Sequence, residues 1–151
     1  MASSTDTRSL ADLTDGIRVA MLTLDGAQGL DARPLTVQKV EGDAVWFLIG
    51  DTADWLGDAG GAGHLSFVDD KTWVSATGRS EVIRDPRTIE ELGNPVSDVW
   101  FEEGHDPLAL RFDVDHGSWW TAPNAAKAAI GLVKAKVTKT EPDIGDHGSV
   151  V

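Results

Sequence analysis

Cysteine and tyrosine are both absent from the 151 residues. Without cysteine, disulfides, thiolate metal sites and cysteine nucleophiles are excluded. Long apolar runs are absent too, because no stretch approaches the ~20 residues that a membrane helix needs. The first eight residues lack the apolar core of a signal peptide. We therefore expect a cytoplasmic protein.

Cations are scarce, since 13 Lys and Arg stand against 25 Asp and Glu, for a formal net charge of −12. Binding to nucleic acid or to an anionic membrane draws on clustered Lys and Arg, so neither is expected as a partner. A hydrophobic content of 41% is typical of a globular chain. The length predicts one domain over residues 1–151, with extended or mobile tails at 1–6 and about 139–151.

Three β-rich runs at 17–24, 32–40 and 44–50 are separated by turn residues, which predicts an antiparallel meander. The first and third runs are apolar on both faces. Such strands are covered on both sides, as in a barrel that is also packed by helices or by a second subunit. The segment 28–31 predicts a long, irregular first connection.

Further strands are predicted at 64–68, 72–83, 108–115 and 118–121, with a break at His116-Gly117. Helices are predicted at 7–15, from Asp85 to Leu92, at 96–101 and at 123–137.

Two adjacent tryptophans on one strand, Trp119 and Trp120, must point to opposite faces. One of them can fill the barrel core. The other exposes ~150–250 Å² of aromatic surface, which a partner subunit, a helix or a flat ligand would cover.

One cation, Arg33, stands on the middle strand of the meander, directly before Pro34. Proline removes a ladder donor and belongs at an edge or a bulge. Arg33 is therefore either an anion contact at a strand irregularity or a solvated edge residue. The glycines at 57, 60, 61 and 63 match neither G-x-G-x-x-G nor the Walker pattern, so they predict a loosened helix or a loop instead of a phosphate loop.

Self-contained catalysis is not indicated by any motif. The four histidines, His64, His105, His116 and His147, form no helical metal-binding pattern. Asp113 and Asp115 would share a strand face, which is either a solvated strand end or a hard-cation site. Ser66, Ser75 and Ser80 lie within strands, so no nucleophile elbow is predicted.

Several short strings occur in an order that resembles one known family. They lie at 18–23, 32–35, 45–48, 65–68, 74–79 and 145–150, joined by the Asp85-Pro86 helix and the Trp119-Trp120 strand. In this order they resemble the general stress protein 26 branch of the pyridoxamine 5′-phosphate oxidase-like, FMN-binding split-barrel family. The resemblance covers about residues 7–150.

The resemblance implies a mainly β fold, a six-stranded antiparallel split barrel with peripheral helices. It also implies a homodimer that binds FMN in two clefts at the subunit interface. The flavin ring would lie against the strand that carries Arg33, Pro34 and Leu35. Trp119 or Trp120 from the partner subunit would close the pocket, and basic and hydroxyl side chains after the third meander strand would hold the phosphate.

The chain departs from this pattern at the phosphate end. Ile49 stands where the family has Thr, just before Gly50. Beyond Thr52, Asp54 or a neighbour stands where the family has Lys. The loss of one Lys–phosphate pair would cost on the order of a few kcal/mol in a partly buried cleft.

Three hypotheses follow from the resemblance and its departures. The first is an FMN-binding protein, either an FMN-dependent oxidoreductase or a flavin store, with catalytic residues not identified. The second is a non-catalytic stress-related dimer that has lost FMN. The third is a cleft retuned for another cofactor, such as a deazaflavin or haem.

Overall fold

The computed structural model describes residues 7–93, 106–122 and 146–150. The elements in chain order are β1 Thr7–Arg8, α1 Leu10–Thr14, β2 Val19–Gly26, β3 Gly29–Glu41, β4 Ala44–Gly50, a 3-10 turn Leu56–Asp58, β5 Ala62–Val68, β6 Thr72–Ile83, α2 Pro86–Leu92, β7 Pro107–Thr121 and β8 Asp146–Val150. The helices predicted at 96–101 and 123–137, and the tail predicted at 1–6, lie outside these ranges.

Six antiparallel strands close into a ring. The strand order is β7-β4-β3-β2-β5-β6, and β6 pairs back with β7. The long strand β7 pairs with β4 over its first half and with β6 along most of its length. Its last residues also pair with β8, which pairs in parallel with β1. The prediction of a six-stranded antiparallel split barrel is confirmed.

The core fills the inside of this ring. Alternate residues of each strand point inward, and the largest fully buried side chains include Phe47, Phe67, Phe112 and Trp119. Burial of each Phe side chain is worth roughly 1.5–3 kcal/mol. Trp119 is fully buried, whereas Trp120 keeps 46% of its surface exposed. The two tryptophans therefore point to opposite faces, as their adjacency predicts.

The connection between β2 and β3 is a tight turn, so the prediction of a long irregular connection is wrong. Gly26 pairs directly with Gly29, which leaves two residues at the turn. Gly29 has φ of +100°, a conformation that glycine adopts without a steric penalty. The turn therefore extends β3 back to Gly29, through the residues that were expected to be irregular.

The predicted break at His116-Gly117 is a bulge within one continuous strand. Thr77 pairs with His116 and Gly78 with Val114, so Asp115 is the extra residue. A Cβ on Gly78 would lie 1.9 Å from the Asp113 carbonyl oxygen, so glycine is required where the two backbones approach. The bulge bends β7, which lets one strand serve both the ring and the extension toward β8.

The first helix is shorter than predicted, whereas the second has the predicted bounds. Residues 7–8 belong to β1, and α1 begins after Ser9, whose Oγ accepts a hydrogen bond from Asp12 N at 3.1 Å. The predicted helix at Asp85-Pro86 is confirmed, although the Asp85 carboxylate accepts a hydrogen bond from the Thr88 hydroxyl and caps no backbone N–H. In the predicted C-terminal tail, residues 146–150 form β8.

Candidate functional site: a covered arginine on the inner side of a strand

Arg33 points to the inner side of β3. It pairs with Leu22, which is fully buried, whereas Pro34 pairs with Met21 on the outer side. Only 13% of the Arg33 side chain is exposed. The interpretation of a solvated edge arginine is therefore wrong, because strand alternation turns this cation toward the apolar interior.

Three contacts define the surroundings of the Arg33 guanidinium. Its Nη2 donates to Asp31 Oδ2 at 2.8 Å, and the Asp31 side chain is 77% exposed. Its Cζ lies 4.6 Å from the centroid of the Trp55 ring. Its Nη1 is buried and has no hydrogen-bond partner among the described residues. Among the described residues this charged donor on the inner side of β3 is unused, which suits an anionic ligand atom.

The energy balance of this arrangement is close to neutral. A buried donor without a partner costs about 1–3 kcal/mol. The exposed Asp31 returns about 0–1 kcal/mol, because solvent screens such pairs. The contact with Trp55 returns about 0.5–2 kcal/mol. The guanidinium is thus tolerated by the fold and does not stabilise it, which is the pattern expected of a binding residue.

Trp55 belongs to a segment at 51–61 that follows β4. The prediction of a loosened helix or loop is confirmed, since the helical part is a single 3-10 turn, Leu56–Asp58. Trp55, Leu56 and Ala59 pack against the barrel core. Farther on, Gly60 has φ of +107° and donates its N–H to Ser80 Oγ at 3.2 Å. The segment is thereby fixed to β6 at its C-terminal end.

The residues predicted to contact a phosphate are placed in different environments. Ile49 is 3% exposed and belongs to the core, so a Thr at this position would be buried as well. Thr52 and Asp54 are exposed in the turns before Trp55. Gly50 is open, because a Cβ there would meet no atom within 4 Å. On β3, Leu35 is partly buried against the core.

Sequence reasoning missed Asp31 and Trp55 as partners of Arg33. The signal for Asp31 was available, because residues two apart on a strand share a face. Trp55 carried no such signal, since its position depends on how the segment after β4 folds back onto the barrel. Asp54 precedes Trp55 directly, so the acidic residue that departs from the family pattern lies next to the ring that covers Arg33.

The outward tryptophan belongs to an apolar patch. Trp120 pairs with Trp73 on β6, and Trp73 pairs with Val68 on β5. We call Val68, Trp73 and Trp120 the outer apolar patch, and all three are exposed. Trp119 is fully buried beneath the Arg8 guanidinium, at 4.1 Å from the ring centroid. Of the two candidate aromatics, Trp120 is the one that can reach another subunit.

His64 lies on the same outer side of the sheet, among hydroxyl groups. Its Nε2 is 2.6 Å from Ser75 Oγ, and its Nδ1 is 3.4 Å from Ser66 Oγ. Partial burial lowers the pKa of His64 below its usual value. The neutral imidazole is therefore the form that this surface favours.

The alternative of a hard-cation site near Asp113 gains no support. Asp113 Oδ2 accepts from Arg111 Nε at 3.1 Å, and Arg111 Nη2 binds Glu81 at 2.6 Å. Within residues 7–93, 106–122 and 146–150, no group of three or more His, Asp and Glu side chains is arranged to hold a metal. None of the helices described there is long and apolar enough to cross a membrane.

The closed six-stranded antiparallel ring, extended by β8, defines a split-barrel protein of the pyridoxamine phosphate oxidase type. The sequence profile of the family described as pyridoxamine 5′-phosphate oxidase like matches residues 5–143. The chain therefore belongs to the pyridoxamine 5′-phosphate oxidase-like family. A search of curated proteins found no match.

Solved structures agree with this membership. A protein described as general stress protein 26 from Jannaschia sp. CCS1 is 25% identical with a TM-score of 0.69, and the match covers 93% of this chain and 94% of that one. A general stress FMN/FAD binding protein from Xanthomonas citri is 25% identical with a TM-score of 0.66, over 75% of this chain and 86% of that one. A general stress family protein from Xanthomonas campestris pv. campestris is 28% identical with a TM-score of 0.65, over 75% and 84%.

Proposed function

We propose that this chain is a flavin-binding split-barrel protein of the general stress type, which acts as a homodimer in an oxidoreductase or flavin-storing role. The observation that carries the proposal is the buried Nη1 of Arg33, which has no hydrogen-bond partner among the described residues. One similar structure is described as an FMN/FAD binding protein, which supports a flavin as the ligand.

The residues present fit a flavin with one anionic group. Arg33 supplies a positive donor for the phosphate, as the buried Nη1 requires a partner. Gly50 leaves open space beside the end of β4, where a Cβ would meet nothing. The backbone at Pro34 and Leu35 would support the ring edge. When bound, the flavin supplies the redox chemistry, and the protein supplies binding and orientation.

The outer apolar patch supports a homodimer. Three large apolar side chains in register on adjacent strands, Val68, Trp73 and Trp120, form a surface that a second copy can cover. A two-fold axis would place the same patch on both subunits. Trp120 from the partner subunit would then be the aromatic that closes the flavin pocket.

A second candidate is a dimeric split barrel that has lost FMN. The observation that favours it is the existing occupation of Arg33, whose Nη2 already binds Asp31 and whose face is covered by Trp55. Asp54 adds negative charge in the turn beside it. The hypothesis of a deazaflavin or haem ligand stays a prediction, and the same titration addresses it.

The test is a titration of the purified protein with FMN, riboflavin, a deazaflavin and haem, followed by absorption and flavin fluorescence. We expect saturable FMN binding near one flavin per subunit, with loss of binding in Arg33→Gln. Arg111→Gln is the matched control, because Arg111 also stands beside a carboxylate and a tryptophan, Trp46. Equal FMN binding by the wild-type and Arg33→Gln proteins would contradict the assignment of the site.

If the wild-type protein binds no flavin, Asp54→Lys separates the two candidates. A lysine at this exposed turn adds the cation that the family pattern has there. Binding gained by Asp54→Lys would support a lost flavin site. We leave Ile49 unchanged in this variant, because Ile49→Thr would place a hydroxyl in the apolar core.

The dimer is tested by light scattering, which gives the molecular mass of the wild-type and Trp120→Ser proteins in solution. The substitution should weaken the dimer.

A further inference from the structure

We propose that Asp31 and Trp55 form an autoinhibitory clamp on Arg33, which an anionic group must open before it can bind. The identity of the anion, a flavin phosphate, rests on the proposed function above. The clamp itself rests on the contacts within this chain. It makes Asp31 and Trp55 determinants of affinity for charged ligands, although neither lies on the strand positions that the family pattern highlights.

The two clamp residues restrict different parts of the guanidinium. Asp31 occupies Nη2, and the Trp55 ring covers one face. A phosphate binds an arginine best through two parallel N–H donors. Because Nη2 is taken and Nη1 is buried, the closed arrangement offers no such pair to an incoming ligand. Binding therefore requires that Trp55 moves and that the ligand displaces Asp31.

The segment that carries Trp55 is suited to such a movement. Its backbone hydrogen bonds are turn bonds that stay within the segment, and they run from Ala53 to Gly50 at 3.2 Å, from Leu56 to Ala53 at 3.3 Å, from Asp58 to Trp55 at 2.9 Å and from Ala59 to Leu56 at 3.2 Å. Gly57 and Gly61 have open space around them. Gly60 is tied to Ser80 on β6, which provides a fixed point. Local opening between Gly50 and Gly60 would break these turn hydrogen bonds and the packing of Trp55, Leu56 and Ala59 on the core.

Arg111 has similar partners and a larger exposed fraction, which makes it a comparison for Arg33. It also has a carboxylate two residues away, Asp113, and a tryptophan, Trp46, with Cζ 5.7 Å from the ring centroid. Its side chain is 33% exposed, against 13% for Arg33. In the described ranges the buried unpaired guanidinium nitrogen belongs to Arg33 and not to Arg111. Arg111 is thus an internal reference for a more exposed arginine that is paired with two carboxylates.

The first test needs no flavin. Phenylglyoxal modifies accessible guanidinium groups, and peptide mass spectrometry gives the rate at each arginine. We expect slow modification of Arg33 and fast modification of Arg111 in the wild type. Trp55→Leu, which keeps an apolar side chain against the core, should raise the Arg33 rate several-fold and leave the Arg111 rate unchanged. Equal rates at the two arginines in the wild type, or no change in Trp55→Leu, would overturn the clamp.

The second test compares FMN with riboflavin, which lacks the phosphate. The arginine–tryptophan contact favours the closed state, so only a fraction of the molecules is open to the ligand. The apparent affinity for FMN falls in proportion to this fraction, by about 2- to 30-fold. Trp55→Leu should recover this factor for FMN, with Trp55→Phe intermediate. Asp31→Asn should tighten FMN in the same direction. Riboflavin affinity should change much less in each variant.

The outcomes separate the clamp from the proposed function. FMN binding that is equally tight in the wild type, Trp55→Leu and Asp31→Asn would overturn the clamp and leave the flavin site in place. Faster Arg33 modification in Trp55→Leu, slowed again by inorganic phosphate, would support the clamp even if no variant binds FMN. In that case the flavin assignment fails, and the site takes a different anion.

Discussion

Replacement of Arg33 by methionine should leave the stability of the fold almost unchanged while it removes the proposed ligand contact. Methionine keeps an apolar stem of similar length beside Trp55 and deletes the guanidinium. Most buried charged groups destabilise a protein when they are removed, because a partner is left unpaired. Among the described residues the guanidinium's hydrogen-bond partner is Asp31, which is exposed and can return to water.

The magnitude follows from three contributions. Removal of the buried, unpaired Nη1 relieves about 1–3 kcal/mol. Loss of the contact with Trp55 costs about 0.5–2 kcal/mol. Loss of the screened pair with Asp31 costs about 0–1 kcal/mol. The contributions nearly cancel, so the free energy of unfolding should stay within about 1 kcal/mol of the wild-type value.

The assay is urea unfolding followed by tryptophan fluorescence and far-UV circular dichroism at fixed protein concentration. With a slope of about 1–3 kcal/mol per molar urea, the midpoint of Arg33→Met should move by less than about 1 M. Arg111→Met is the control. It loses its pairs with Glu81 and Asp113 and relieves no buried donor, so it should destabilise the protein by about 1 kcal/mol.

Two results would refute this reasoning. A loss of more than about 2 kcal/mol in Arg33→Met would show that the guanidinium is satisfied in the folded protein and is not held for a ligand. Unchanged flavin binding in a stable Arg33→Met protein would show that the unpaired nitrogen has no part in binding. An unchanged free energy of unfolding with lost FMN binding would support both the energy balance and the site.

Two further predictions concern the barrel itself. Gly78→Ala should destabilise the protein by about 2–4 kcal/mol, because the new Cβ would overlap the Asp113 carbonyl at the bulge. Gly50→Ala is the control, and its free energy of unfolding should stay within about 0.5 kcal/mol of the wild-type value, because a Cβ there has open space. Equal urea midpoints for the two variants would contradict the bulge geometry. His64 has a lowered pKa, so its contribution to stability is present above about pH 6.5 and is lost as pH falls from there toward the pKa of the folded state. His64→Gln should flatten the fall in stability between pH 7 and 5, and parallel curves for the two proteins would count against a titrating His64.

Much of the barrel was predictable because strand alternation is a local property. The run from Leu108 to Val114 predicted its buried face correctly, and the adjacency of Trp119 and Trp120 predicted one inward and one outward ring. The two errors in the connections have a common reason. The turn at Gly29 and the bulge opposite Gly78 depend on how neighbouring strands pair, and a glycine in a sequence indicates several backbone conformations equally well.

The candidate site was predictable only in part. Arg33 was singled out by its place beside Pro34, but composition favoured a solvated side chain. Its burial follows from the register of β3 on β2, which sets Arg33 against Leu22. Ile49 was read as a missing phosphate ligand, whereas alternation on β4 turns it into the core.

The sequence by itself determined the strands and their buried faces, because period-two alternation and turn residues act over neighbouring positions, whereas the six-stranded split barrel was implied by the resemblance to the family. It also determined which residues are available for chemistry: no thiol, no phenol and few cations. Only the tertiary structure decided that Arg33 is covered, that it pairs with Asp31 and that its Nη1 has no partner within the described ranges. Closure of the ring brings Trp55 from the segment after β4 onto β3, and no local pattern encodes a contact between two segments that meet only in the folded chain.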